Sequence, residues 1–183
     1  MKDVVFVTGN QKKADYLNKL LGFDVKHEKI ELDEIQSVDI IEVAKDKAIR
    51  AFNIAGKAVL IEDVGLEFNE LGGLPGPFIK YFVQSKDGLE MCCRMLDGFP
   101  SRAAVARCVF VYYDGSDITV LEGSLTGTIA NHPVGEDGWD WDYIFCPDGF
   151  DGRSRAELNA KEDLKTYLSI KPIEKLRAFL EKQ

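Results

Sequence analysis

The sequence predicts a mixed α/β protein in which helices cover the faces of a central sheet. Three observations carry this reading. Apolar runs of strand length alternate with helical periods in the order β-α-β-α-β through the first third of the chain. Two longer β-rich runs follow, separated by Asp114-Gly115-Ser116, which is a hairpin signal. The 183 residues are 45% hydrophobic, enough for one globular domain with a real core, possible as two lobes and expected to cover residues 1–183.

Val4 to Val7 is a short β-branched and aromatic run, read as a buried strand. Thr8-Gly9-Asn10 makes a turn, and Gln11 to Leu21 places Ala14, Leu17, Leu20 and Leu21 at helical spacing before Gly22 stops the helix. A second strand covers Asp24 to His27 and its neighbours. Ile40 to Ala55 reads as a helix with Ile41, Ala44, Ala48 and Ala51 on one face, and Ala58 to Ile61 as a third strand that ends at Glu62 and Asp63. After a loop rich in glycine and proline, Gly88 to Leu96 is helical. Ala103 to Tyr113 and Ile118 to Ile129 are the hairpin strands. The chain from Lys161 onward is helical, with Pro172 opening the last helix.

Charge and cysteine content narrow the function classes. The formal net charge of −8 disfavours tight binding to a nucleic acid polymer, whose partners are normally basic. Cys92, Cys93, Cys108 and Cys146 form no CxxC pair, so a structural zinc site is not expected and a reduced intracellular protein is the simpler reading. No signal peptide and no apolar run of membrane-spanning length is visible, so no membrane partner is expected.

Three constellations could carry chemistry. Thr8-Gly9-Asn10-Gln11-Lys12-Lys13 joins a strand to a helix N-terminus, where backbone N–H groups favour anions. It reads as a phosphate cradle or, more plainly, as an N-capped helix with solvated lysines. Glu31, Asp33 and Glu34, with Glu62 and Asp63, follow successive strands, and acids from two strand ends could share a divalent cation and leave one to activate water. The plain alternative is a set of solvated acids. In Gly138-Trp139-Asp140-Trp141-Asp142-Tyr143, two tryptophans alternate with acids. Trp139 could stack on a nucleobase and Asp142 accept from a base edge, or the tryptophans could anchor the loop in a core. Lys47 and Lys80 are single lysines that could meet a phosphate or be merely solvated. His27 and His132 show no partner pattern.

Together these segments resemble the inosine triphosphate pyrophosphatases, the Ham1-like or non-canonical purine NTP pyrophosphatases. Thr8-Gly9-Asn10-x-x-Lys13 is similar to that family's N-terminal signature. Glu62-Asp63 with Leu71-Gly72-Gly73-Leu74-Pro75-Gly76-Pro77 and Ile79-Lys80 is similar to the central signature of its eukaryotic members. The resemblance covers nearly the whole chain. It implies a two-lobed fold with a long central mixed sheet flanked by helices, and a cytoplasmic homodimer. It implies hydrolysis of a nucleoside triphosphate to the monophosphate and pyrophosphate with Mg²⁺ or Mn²⁺. Carried over by position, Thr8, Gly9, Asn10 and Lys13 hold phosphates, joined by Lys47 and Lys80. Glu34 and Asp63, with Glu62 beside them, serve the metal, and Asp63 is the base for water. Trp139 stacks on the base, with Asp140, Trp141 and Asp142 beside it.

The departures cluster where that family reads the base. Asp140 stands for a glycine and Tyr143 for a proline. The family's C-terminal lysine-asparagine and Ser-His-Arg signature is replaced by Asp163-Leu164 and Tyr167-Leu168-Ser169. Leu168 cannot donate a hydrogen bond and Ser169 brings no charge. The expectation is a pyrophosphatase of non-canonical purine triphosphates. Its alternatives are an enzyme of the same fold with altered base preference and a catalytically weak nucleotide-binding protein.

Overall fold

A computed structural model describes residues 3–183; Met1 and Lys2, within the expected domain, lie outside the described residues. The elements run β1 (Val5–Val7), α1 (Gln11–Leu21), β2 (Lys26–Glu28), α2 (Ile40–Ala55), β3 (Val59–Phe68), β4 (Pro75–Gly76), α3 (Ile79–Val83), α4 (Gly88–Arg94), β5 (Ala103–Tyr113), β6 (Ile118–Ile129), β7 (Phe145–Pro147), α5 (Ala160–Ile170) and α6 (Ile173–Leu180). The strands form a seven-stranded sheet in the order β2-β1-β3-β5-β6-β7, with β4 paired to β3. The mixed α/β expectation is met: β1 pairs in parallel with both β2 and β3, whereas β4 runs antiparallel to β3 and β7 to β6.

The chain divides into two compact units. The first runs to Asp63 and includes Cys108–Glu122 and Pro172–Gln183; the second comprises Val64–Arg107 and Gly123–Lys171. In the first, α1 and α2 are the crossovers that parallel strands require. The α2 boundaries match the periodic pattern, with Asp39 as N-cap and Gly56 closing the C-terminus in the left-handed region. Ala44, Ala48 and Ala51 are fully buried and let the helix lie close on Val5, Val7, Val59, Ile61, Val109 and Val111. Ile40 and Val43 complete the buried face, while Ile41 lies at its rim. Tyr112 meets Phe179 of α6 edge-on at 5.0 Å, and Arg177 of the same helix donates to the Leu20 carbonyl.

In the second unit, the Arg102 guanidinium donates to the carbonyls of Ile129 (2.8 Å), Ala130 (2.8 Å) and Cys93 (2.6 Å), tying α4 to the end of β6. The glycine-rich loop is a tight return. After a 3₁₀ turn over Asn69–Leu71, Gly72 and Gly73 have φ of 62° and 94°, a region a side chain disfavours, and β4 then pairs back on Leu66 and Glu67. The Leu74–Pro75 bond is cis.

One expectation needs correction. The third strand does not end at Glu62 and Asp63 but continues to Phe68, because buried Leu66 and Phe68 flanking Glu67 keep a strand period past the acids. Lys80, just past the glycine- and proline-rich loop, lies on a short helix, Ile79–Val83. The four cysteines are buried and unbridged, and burial pushes the thiols of Cys92 and Cys93 up to about 11 and about 12.

Two measurements check this packing. Ala48→Leu forces a larger side chain between α2 and the sheet and is expected to lower the unfolding free energy by about 2 kcal/mol in urea denaturation. The native protein at pH 7 is expected to give no fast thiol reaction with an aromatic disulfide reagent, with all four cysteines reacting once it is unfolded.

Candidate functional site

The site in the first unit follows from where β1 stops. Val5 pairs with Val59 and Phe6 with Leu60, so Glu62 comes level with Thr8, the first residue beyond β1. Glu62 and Asp63 therefore stand where the parallel part of the sheet ends, although β3 itself continues. Ligands of parallel α/β sheets bind at this kind of edge, and β1, flanked by β2 on one side and β3 on the other, is a point where strand order reverses.

The turn after β1 is a built helix cap. Asn10 accepts from the Lys13 amide through Oδ1 (3.2 Å), and its own N–H donates to Thr8 Oγ1 (3.2 Å). The plain reading of Asn10 as an N-cap is thus realised. Among the described residues, a Cβ on Gly9 would meet only Lys29 Cε, at 3.9 Å, so none of them demands glycine there. His27, for which the sequence shows no partner, has its Nε2 3.0 Å from the Thr8 carbonyl and braces the same turn.

Two lysines meet three carboxylates. Lys13, in the first turn of α1, places Nζ 3.0 Å from Glu62 Oε1, whose side chain is 1% exposed. Lys47, on α2, places Nζ 2.9 Å from Asp63 Oδ2 and 3.0 Å from Glu34 Oε1. Glu34 thus returns to the sheet end from the loop after β2. Glu31 pairs instead with Lys29 at 3.1 Å, with both side chains well exposed. Burial pushes the Asp63 carboxyl above its ordinary value of 3.8, against the opposing pull of Lys47 and Lys13. Burial also pulls Lys47 down, but Asp63 and Glu34 outweigh it and hold the ammonium above 10.5.

No group of three or more His, Cys, Asp or Glu side chains converges as a metal cage among the described residues. The donor set nonetheless fits a hard cation. Glu34 and Asp63 converge on one point, now held by the Lys47 ammonium, and Mg²⁺ is commonly bound by one or two carboxylates with waters and substrate phosphate. Glu62, committed to Lys13, is not part of that convergence.

In the second unit, the two tryptophans divide. Trp139 is 69% exposed, whereas Trp141 is buried, edge-on to Phe145 at 5.7 Å and 5.8 Å from the Arg155 guanidinium. Trp141 is a loop anchor, and Trp139 alone presents a stacking face. A 3₁₀ turn over Asp140–Tyr143 carries them, with Asp140 at φ 51°. Aspartate tolerates that left-handed backbone better than most residues. Asp142 accepts from the Trp139 N–H (3.0 Å) and from Arg155 Nη1 (2.6 Å). Burial pushes the Asp142 carboxyl up, with Arg155 and the Trp139 N–H opposing. Lys80 is exposed on the first turn of α3. Arg155 was missed by sequence reasoning, since Gly152-Arg153-Ser154-Arg155 reads as an ordinary polar turn.

Fold and site define an α/β protein with lysine-paired carboxylates at the end of a parallel strand pair. The Ham1 family profile matches residues 4–179, and the chain belongs to the Ham1 family. It is 38% identical to inosine triphosphate pyrophosphatase 2 of Trypanosoma cruzi over 178 residues, covering 96% of this chain and 90% of that protein. It is 40% identical to inosine triphosphate pyrophosphatase of Yarrowia lipolytica over 185 residues, covering 97% and 95%. Among solved structures, the fold is similar to the Ham1 protein of Staphylococcus aureus, with a TM-score of 0.83, 24% identity and coverage of 98% of each chain. It is likewise similar to a nucleoside-triphosphatase / dITP/XTP pyrophosphatase of Mycobacterium abscessus, with a TM-score of 0.80, 24% identity and coverage of 97% and 98%.

Removing the shared ammonium tests the site's electrostatics. Lys47→Met leaves Asp63 and Glu34 without their common cation and is expected to destabilise the metal-free protein by about 2 kcal/mol, less than a fully buried pair because Glu34 is partly exposed. Carboxyl NMR titration of the metal-free protein is expected to place Asp63 above 3.8, and higher still in Lys47→Met. Because the folded value is raised, the stability contributed by Asp63 is fully present below pH 3.8 and is lost as pH rises through its folded midpoint.

Proposed function

We propose that this chain is a nucleoside triphosphate pyrophosphohydrolase that takes non-canonical purine nucleotides such as ITP, dITP and XTP to the monophosphate and pyrophosphate. The observation that carries the reading is the convergence of Glu34 and Asp63 on the Lys47 ammonium, beside the capped turn of Thr8 to Lys13. The names of the relatives support the same reaction.

The residues divide the work by their chemistry. Thr8, Gly9 and Asn10 shape an anion-binding helix start, and no neighbour among the described residues demands glycine at Gly9, which leaves room for a phosphate. Lys13 and Lys47 supply cations to an acidic protein whose substrate carries several negative charges, and Lys80 is assigned to phosphate with them. Glu34 and Asp63 would hold Mg²⁺ or Mn²⁺, which when bound neutralises phosphate charge and orients the triphosphate. Asp63, at the end of the parallel strand pair beside Lys47, is assigned to accept the proton of a water molecule. The water oxygen bonds to the α-phosphorus, the bond from that phosphorus to the α–β bridging oxygen breaks, and its electron pair leaves with pyrophosphate. Trp139 offers its exposed ring to the base.

A second reading, the same reaction with relaxed base choice, is favoured by Leu168, which is 43% exposed and has no side-chain donor. No helix among the described residues is long and apolar enough to cross a membrane. A cytoplasmic homodimer is the assembly and location that the resemblance supports.

A panel of ITP, XTP, dUTP, GTP and ATP with Mg²⁺ and pyrophosphate detection tests both readings. Turnover with pyrophosphate release is expected, and Asp63→Asn is expected to lower kcat by about 100-fold or more while nucleotide binding without metal persists. A strong preference for ITP rules out relaxed base choice. Absence of turnover on every triphosphate refutes the enzyme and leaves a nucleotide-binding protein.

A further inference from the structure

Arg155 is a buried charge of the second unit. It is 8% exposed, and each of its three donor arms is used. Nε donates to Thr166 Oγ1 at 3.0 Å, Nη1 to Asp142 Oδ1 at 2.6 Å and Nη2 to Asp163 Oδ1 at 2.5 Å. The guanidinium also lies against the buried Trp141 ring. Such a fork is planar and rigid, so it fixes the direction of each acceptor as well as its distance.

What this fork holds is the tryptophan loop. Asp142 receives Arg155 on one carboxylate oxygen and the Trp139 N–H on the other. A chain of contacts therefore runs from α5 through Asp163, Arg155 and Asp142 to the backbone of the exposed Trp139. The residues around Arg155 grip the same loop. The amides of Glu136 and Asp137 donate to the Ala156 carbonyl (both 3.3 Å), and Ser154 Oγ donates to the Val134 carbonyl (2.9 Å). A Cβ on Gly138 would approach the Ala156 Cβ to 2.7 Å, so the loop lies directly on this segment. Asp140 meanwhile keeps a left-handed backbone, which persists in a non-glycine residue when its surroundings hold it there.

We propose that Arg155 is a positioning residue for base recognition: its fork, anchored on Asp163 and Thr166, fixes Asp142 and through it the Trp139 ring against the nucleobase, and so sets how sharply the enzyme distinguishes bases. The proposal rests on the pyrophosphohydrolase reading and deepens it. Asp163 has a defined task here, as the anchor of the arginine and not as a group that touches the substrate. The network acts on the base end of the nucleotide alone, so its loss reaches KM and selectivity before it reaches kcat.

The test uses the whole protein with Mg²⁺. Arg155→Lys keeps the charge and loses the fork. It is expected to raise KM for ITP about tenfold with kcat within about twofold of wild type, and to narrow the kcat/KM ratio between ITP and ATP. The IMP-induced change in tryptophan fluorescence that is lost in Trp139→Ala is expected to be weaker in Arg155→Lys. In a Trp139→Ala background, Arg155→Lys is expected to add little, because both changes act through the same ring. Asp163→Asn weakens only the outer anchor and is expected to give a smaller change of the same kind, which keeps the test available if the arginine variant does not fold. An unchanged KM and ITP/ATP ratio in a folded variant overturns the proposal, as does a fall in kcat at constant KM or full additivity with Trp139→Ala. A wild-type protein that releases no pyrophosphate from any triphosphate removes the underlying reading; wild-type turnover with an insensitive Arg155 removes this inference alone.

Discussion

Strand β1 ends at Val7 while its parallel neighbour β3 runs on to Phe68, and that unequal termination organises the first unit. Beyond Val7 the edge of β3 loses its partner, and Glu62 and Asp63 come directly after the last shared pairs. Carboxylates in the body of a central strand would be costly to bury; at this point they can reach lysines from two helices. The helices are there because the parallel pairings of β1 with β2 and β3 each need a crossover. Lys13 comes from the first crossover and Lys47 from the second. Topology therefore delivers the cations as well as the anions.

The two units solve the same electrostatic problem differently. In the first, the ion pairs use lysines, whose compact ammonium groups sit as point charges among oxygens and can yield their place to another cation. In the second, one arginine spreads its charge over three directional bonds and a ring face, an arrangement suited to holding a backbone turn still. The first suits a site that binds ions and phosphates in passing. The second suits a scaffold under an aromatic platform.

Much of this was legible in the sequence where a period ran long enough to be read. Helix α2 and strands β5 and β6 have the boundaries their patterns predict, because eleven or more residues of consistent spacing leave little ambiguity. The end of β3 was misplaced because two adjacent acids interrupt an apolar run and resemble a terminus. Strand β4 has two residues and α3 has five, too short for any period. The residue types of the first site were visible, yet only the structure separates Glu62, with Lys13, from Asp63 and Glu34, with Lys47. Arg155 left no local signal at all: its partners lie eight, eleven and thirteen residues away in the chain. The glycine-to-aspartate departure at Asp140 was legible as a change, but its left-handed backbone was not.

The alanine face of α2 has a thermodynamic side. Ala44, Ala48 and Ala51 have no rotamers to lose on burial, so seating this helix on the sheet restricts little side-chain freedom. The long chain of Lys47, on the same helix, carries on the order of 2 kcal/mol of rotamer entropy. On α2, the flexible side chain of Lys47 thus stands on a stiff alanine support. A ligand that takes over the partners of Lys47 would release that freedom, and part of its binding would be driven by the disorder returned to one lysine.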